Sequence, residues 1–132
     1  MVITPHVLVG ALAGRGRPVR QAALLGLATH LVLDAVPHTD YALRGVRGAL
    51  KLAVDATAAS VLLAALRPDE GALAGAAAAL APDVHAQVGP RFVPGQALHR
   101  AAHHKRPVGR SAGWLVQAAV CALAVSALAR AD

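Results

Sequence analysis

The chain predicts an all-α fold, and three features carry that expectation. Alanine and leucine, the strongest helix formers, supply 33 and 19 of its 132 residues. Aromatic residues are confined to Tyr41, Phe92 and Trp114, and valine is the one abundant β-branched residue, which argues against strands. Clusters of proline, glycine and arginine cut the remaining apolar sequence into five stretches of helical length. With 56% hydrophobic and 15% charged residues the chain is far from the composition of disorder. The expected architecture is one domain over residues 1–132, an up-and-down bundle of about five helices embedded in a membrane.

The first helix is expected over residues 4–14. Thr4 is a good N-cap, Pro5 suits a first turn, and Arg15-Gly16-Arg17-Pro18 breaks the run. The second helix, 19–36, ends at Pro37. Residues 38–48 form a polar connection with Arg44 and Arg47. The third helix, 49–66, stops at Arg67-Pro68, and the fourth, 70–81, at Pro82-Asp83. Residues 84–110 contain Pro90, Pro94 and Pro107 and form a long irregular connection with one short helix near 97–104. The fifth helix runs over 111–130 from Ser111 as N-cap. A cleaved signal peptide is disfavoured, because Met1 to His6 holds no Lys or Arg and the apolar core at 7–13 is short.

The formal charge is +6. A nucleic-acid binder would want a basic face and aromatic platforms. Here the arginines fall between apolar segments, as in a membrane protein with charged loops. Membrane lipid is therefore the expected partner and nucleic acid is not. A span needs about 20 apolar residues. Residues 112–129 carry no charge and come close; 49–66 has the length but contains Lys51 and Asp55. The second helix contains His30 and Asp34, and the first is too short. A soluble alanine-rich bundle is the competing reading. The single Cys121 excludes a disulfide framework and a cysteine-based zinc site.

Alternating helices sort the polar residues. His6 opens the first helix at one end of the bundle. His30 and Asp34 then lie near that same end, followed by His38 and Asp40, with Asp55 in the near half of the third helix. Asp83, His85, His99, His103 and His104 close the set, so all seven histidines gather at one end. That end carries Arg44, Arg47, Lys51, Arg91, Arg100, Lys105, Arg106 and Arg110, against Arg15, Arg17, Arg20, Arg67 and Arg130 at the other. Eight against five favours a cytoplasmic His-rich end. Imidazole and carboxylate converging in an apolar bundle point to a metal site. His30 and Asp34, like His99 and His103, stand at i, i+4 and share a helix face. Gly10, Gly14 and Gly26 lie at spacings of four from His6 and His30 and would let helices approach closely. Plainer readings stand beside these. Asp55 could pair with Lys51, Asp83 could be a turn residue, and residues 99–105 could be a solvated basic loop; His85 and His104 read as bystanders.

Several blocks together resemble a known family. They are Thr-Pro-His-x-x-x-Gly-Ala at 4–11, Gly-x-x-x-His-x-x-x-Asp-x-x-Pro-His-x-Asp-Tyr at 26–41, Asp55, Pro-Asp at 82–83 and His-x-x-x-His at 99–103. The pattern is similar to that of membrane-bound metal-dependent hydrolases. The resemblance implies a small helical membrane protein with a His/Asp metal centre. This chain is richer in alanine, and Thr39 stands where the family pattern has an aromatic residue. A weaker similarity, limited to HxxxD spacing in an all-α fold, is to zinc-dependent phospholipase C and related nucleases, and implies phosphoester substrates.

The first hypothesis is therefore a metal-dependent hydrolase acting on a phosphoester or other anionic, lipid-derived substrate. Its ligands would be His6, His30, Asp34 and Asp55, with His38 and Asp40 as further ligands or supports. Asp83, His99 and His103 would complete a second metal or act as general base. The divalent ion would be zinc, with manganese and iron as alternatives. Arg100, Lys105 and Arg106 would attract the anionic group. The second hypothesis is a non-catalytic membrane scaffold whose buried His and Asp are polar contacts between helices. A soluble nucleic-acid binder is a third.

Overall fold

The computed structural model describes residues 2–88 and 108–130. They form helices α1 (Ile3–Gly14), α2 (Val19–Ala35), α3 (Gly45–Ala65), α4 (Glu70–Val88) and α5 (Arg110–Ala129), and among them there is no strand. α1 is the shortest and sits at the centre, packed against all four others, while α2 and α4 also pack on each other. Contacts fix the directions. Val2 N–H donates to Gln117 early in α5, and Arg15 donates to the Leu128 carbonyl late in it, so α1 and α5 run the same way. His6 faces Asp34 and Asp83 near the far ends of α2 and α4, so those two run against α1. The bundle alternates up and down.

Small residues dominate the core. Val7, Leu8 and Ala11 of α1 meet Ala59 of α3, Ala72 and Ala76 of α4, and Ala124 and Leu128 of α5. Alanine buries little apolar area, so cohesion depends on how closely backbones approach. Gly75 of α4 is the closest point. A Cβ there would run into the Gly10 carbonyl, and a Cβ on Gly26 would run into the Gly75 carbonyl. Gly14 and Gly71 repeat the arrangement one turn along. At that same end the Asp69 carboxylate accepts from Ala72 N–H at 2.6 Å and Gly16 N–H at 2.7 Å, capping α4 and tying it to the α1–α2 turn. Those amides, Ala72 first, hold Asp69 below the usual carboxylate range.

Three elements differ from expectation. α4 does not stop at Pro82 but continues to Val88. An interior proline costs about 3 kcal/mol, yet α4 is a run of strong helix formers packed on both α1 and α2, and these outweigh it. α3 starts at Gly45, four residues early, because the preceding connection lies directly on its first turn; a Cβ on Gly48 would meet the backbone of Ala42 and Leu43. α1 starts at Ile3, with Val2 at the cap position and no side-chain cap of its own. The expected short helix near 97–104 lies outside the described residues.

α3 and α5 are each long and apolar enough to cross a membrane. Among the described residues their outward sides are left uncovered: Val46 is 86% exposed, and Leu115 and Leu123 are each 71% exposed.

Candidate metal centre

Three buried side chains converge where α1, α2 and α4 meet. His6 projects from the start of α1; His30 and Asp34 lie one turn apart on α2. None is more than 1% exposed. The two rings stack with centroids 4.3 Å apart and planes at 25°. Asp34 lies between their Nε2 atoms: Oδ1 is 3.3 Å from His6 Nε2 and Oδ2 is 3.0 Å from His30 Nε2. One ligand atom from each of the three lies within 4.8 Å of the others, so the group can hold a metal ion. A four-coordinate ion with bonds of about 2.0–2.2 Å sets its donors roughly 3.4 Å apart; the two Asp34–His separations, 3.3 and 3.0 Å through different oxygens, are of that size.

The orientation of each ring bears on the fit. His30 Nδ1–H donates to the Ala79 carbonyl of α4 at 2.7 Å. A carbonyl can only accept, so Nδ1 carries the proton and a neutral His30 turns the lone pair of Nε2 toward Asp34. Lone pair then faces lone pair, an arrangement that a cation between them, or a proton on Nε2, relieves. His6 is buried in the apolar core, and its Nδ1 has no hydrogen-bond partner among the described residues. Core histidines are ordinarily held by such bonds, because an unpaired buried polar atom is costly.

Asp83 completes the cluster. Its carboxylate oxygens lie 3.9 Å from His6 Nε2 and 4.0 Å from His30 Nε2, and its side chain is 30% exposed. The continuation of α4 past Pro82 puts it there. The structure thus brings together His6, His30, Asp34 and Asp83.

Asp55 lies apart from that group. Its Oδ2 accepts from Ile3 N–H at 2.7 Å and from the Tyr41 hydroxyl at 2.9 Å. Its Oδ1 accepts from Thr4 N–H at 3.2 Å and the Thr4 hydroxyl at 2.5 Å. Asp55 therefore caps α1 from another helix. Burial, then the bond to Asp55, pushes the Tyr41 hydroxyl above its ordinary pKa.

His38 and Asp40 form their own pair in the connection between α2 and α3, with Nε2 3.3 Å from Oδ1. His38 Nδ1–H donates to the Val36 carbonyl at 2.6 Å. His99 and His103, and the basic residues Arg100, Lys105 and Arg106, lie outside the described residues.

Two residues of this end escaped the sequence reading. Gln117 is 2% exposed; its Oε1 accepts from Val2 N–H at 2.9 Å and its Nε2 donates to the Thr39 carbonyl at 2.8 Å. Its signal was available, since it is the one amide in an apolar helix. Tyr41 stood in the sequence only as the end of a motif.

Compared with known proteins, the chain has no significant match to a family model, a curated protein or a solved structure.

Proposed function

We propose that this chain is a metal-dependent hydrolase of a membrane, with a zinc-type centre at His6, His30 and Asp34 and a phosphoester or other anionic, lipid-derived substrate. The observation that carries the reading is the convergence of two imidazoles and a carboxylate, sealed in an apolar core, on one point that the partly exposed Asp83 also approaches. Nitrogen and oxygen donors of this kind suit zinc, with manganese and iron as alternatives. When bound, such an ion lowers the pKa of a water to about 7 and polarises a carbonyl or phosphoryl oxygen. Within the chain, the Ala79 carbonyl holds the His30 ring, and Asp34 bridges α2 to α1. Asp83 is the carboxylate that water can reach, and it is assigned the role of taking a proton at Oδ1 or Oδ2. The resemblance carried by residues 4–11 and 26–41 supports the same reading. The apolar flanks of α3 and α5 support a lipid environment and a multi-pass chain.

A second reading has its own observation. Asp34 Oδ1 already lies 3.3 Å from His6 Nε2, a contact that joins α2 to α1 without any metal once that nitrogen carries the proton, while its 3.0 Å contact to His30 lies within α2. That is how a non-catalytic scaffold would use them. Hydrolysis of bis(p-nitrophenyl) phosphate and p-nitrophenyl phosphate by the detergent-solubilised chain separates the two. The hydrolase reading expects turnover that a chelator abolishes, zinc restores and Asp83→Asn reduces by at least about tenfold. A zinc-loaded chain that cleaves neither ester favours the scaffold.

A further inference from the structure

We propose that Asp55 and Gln117 are positioning residues that set the metal centre from outside it, by tying the two chain segments that carry His6 and Asp34 to each other. This rests on the metal reading above and adds to it two helices that contribute no ligand to the cluster.

Both side chains make the same kind of bridge. Asp55 Oδ2 accepts at once from Ile3 N–H, at the start of the helix bearing His6, and from Tyr41, seven residues past Asp34. Gln117, from α5, accepts from Val2 N–H and donates to the Thr39 carbonyl. Each joins the entry of α1 to the connection that leaves α2. Neither joins anything else among these contacts except Thr4, which is again the entry of α1.

The acceptor count separates Asp55 from the ligands. A carboxylate offers about four lone-pair sites, and Asp55 receives four hydrogen bonds at its two oxygens. Its capacity is used in holding backbone and hydroxyl groups. A local cap at Val2 would have satisfied the first amides of α1 equally well. A cap from α3 does more: it sets how far α1 slides along its neighbours. His6 lies in the first turns of α1 and Asp34 in the last turn of α2, so axial movement at that joint changes the 3.3 Å separation between them. Residues that orient metal ligands in this way typically change metal affinity about 10–100-fold when replaced.

The test uses cobalt(II) as the probe on the full detergent-solubilised chain, read by its visible absorption and by titration. Asp55→Asn and Tyr41→Phe should each still bind one cobalt per chain, with affinity weakened about 10–100-fold and about tenfold respectively and with a shifted visible band. The double variant should be no weaker than Asp55→Asn alone, because Tyr41 acts through that carboxylate. Gln117→Leu should shift the band in the same way. Asp69→Asn removes an equivalent cap at the opposite end of the bundle; it should leave affinity and spectrum as in the wild type. Should Asp55→Asn fail to fold, Tyr41→Phe and Gln117→Leu decide the matter. Wild-type affinity and spectrum in the Asp55, Tyr41 and Gln117 variants overturn the positioning role while leaving the metal centre standing. So does an equal change in Asp69→Asn. A wild-type chain that takes up no cobalt overturns the metal reading and this role with it.

Discussion

The Ala79 carbonyl decides which nitrogen His30 presents to the cluster. The 2.7 Å bond consumes Nδ1–H and leaves Nε2 facing Asp34 Oδ2 at 3.0 Å. Replacing the ring by a shorter amide separates the two roles. In His30→Asn the side-chain NH2 stands near the position of Nδ1 and can keep the bond to Ala79, while the atom facing Asp34 is gone. Metal binding should be lost with helicity by circular dichroism within a few per cent of wild type. A variant that binds metal as tightly as wild type would remove His30 from the centre.

The close contact between α1, α2 and α4 should be intolerant of a single methyl group. Gly75→Ala puts a Cβ against the Gly10 carbonyl, where backbone and not a flexible side chain must yield. Overpacking of this kind costs about 1–3 kcal/mol. Gly109→Ala meets nothing within 4 Å among the described residues and should cost at most about 1 kcal/mol, the loss of its preference for the N-cap of α5. Reversible denaturation in one detergent measures both, and equal stabilities would contradict the packing account.

The joint between α2 and α3 should respond to pH through His38 and Asp40. Hydrogen bonding to Asp40 raises His38 above its ordinary 6.5. Burial pushes Asp40 upward and the bond to His38 pulls it down; the bond wins and holds the carboxyl below its ordinary 3.8. A raised histidine stabilises the fold below 6.5, and that contribution is lost as pH rises through its folded value. A depressed aspartate contributes above 3.8 and is lost as pH falls through its folded value. The connection is therefore held most firmly between those two limits. An NMR titration of the His38 ring should show its midpoint falling toward 6.5 in Asp40→Asn. An unchanged midpoint would contradict the pairing.

Much of this end of the molecule was legible in the residues. Helix breaks at Arg15–Pro18, Pro37 and Arg67-Pro68 give the alternation, and the alternation alone brings His6, His30, Asp34 and Asp83 to one end. The glycine spacing at Gly10, Gly14 and Gly26 pointed to close helices, though not to Gly71 and Gly75 on α4, which take the other half of the contact. Asp55 shows where pattern reading stops. A carboxylate in an apolar helix needs partners, and sequence ranks side chains as candidates before backbone. Its partners include the amides of Ile3 and Thr4, left open because Val2 cannot cap them. Pro82 shows a second limit: local propensity ends the helix there, whereas packing on two neighbours carries it on and delivers Asp83.

The most direct test of the metal centre is elemental analysis of the wild-type chain and of Asp34→Ala, both purified without added metal. Asp34 is the carboxylate that touches both rings, so its loss should remove the ion while the helices persist. The account predicts about one zinc, manganese or iron per wild-type chain and less than about a tenth of that in Asp34→Ala, with unchanged helicity. Stoichiometric metal in Asp34→Ala, or none in the wild type even after incubation with each ion, would contradict it.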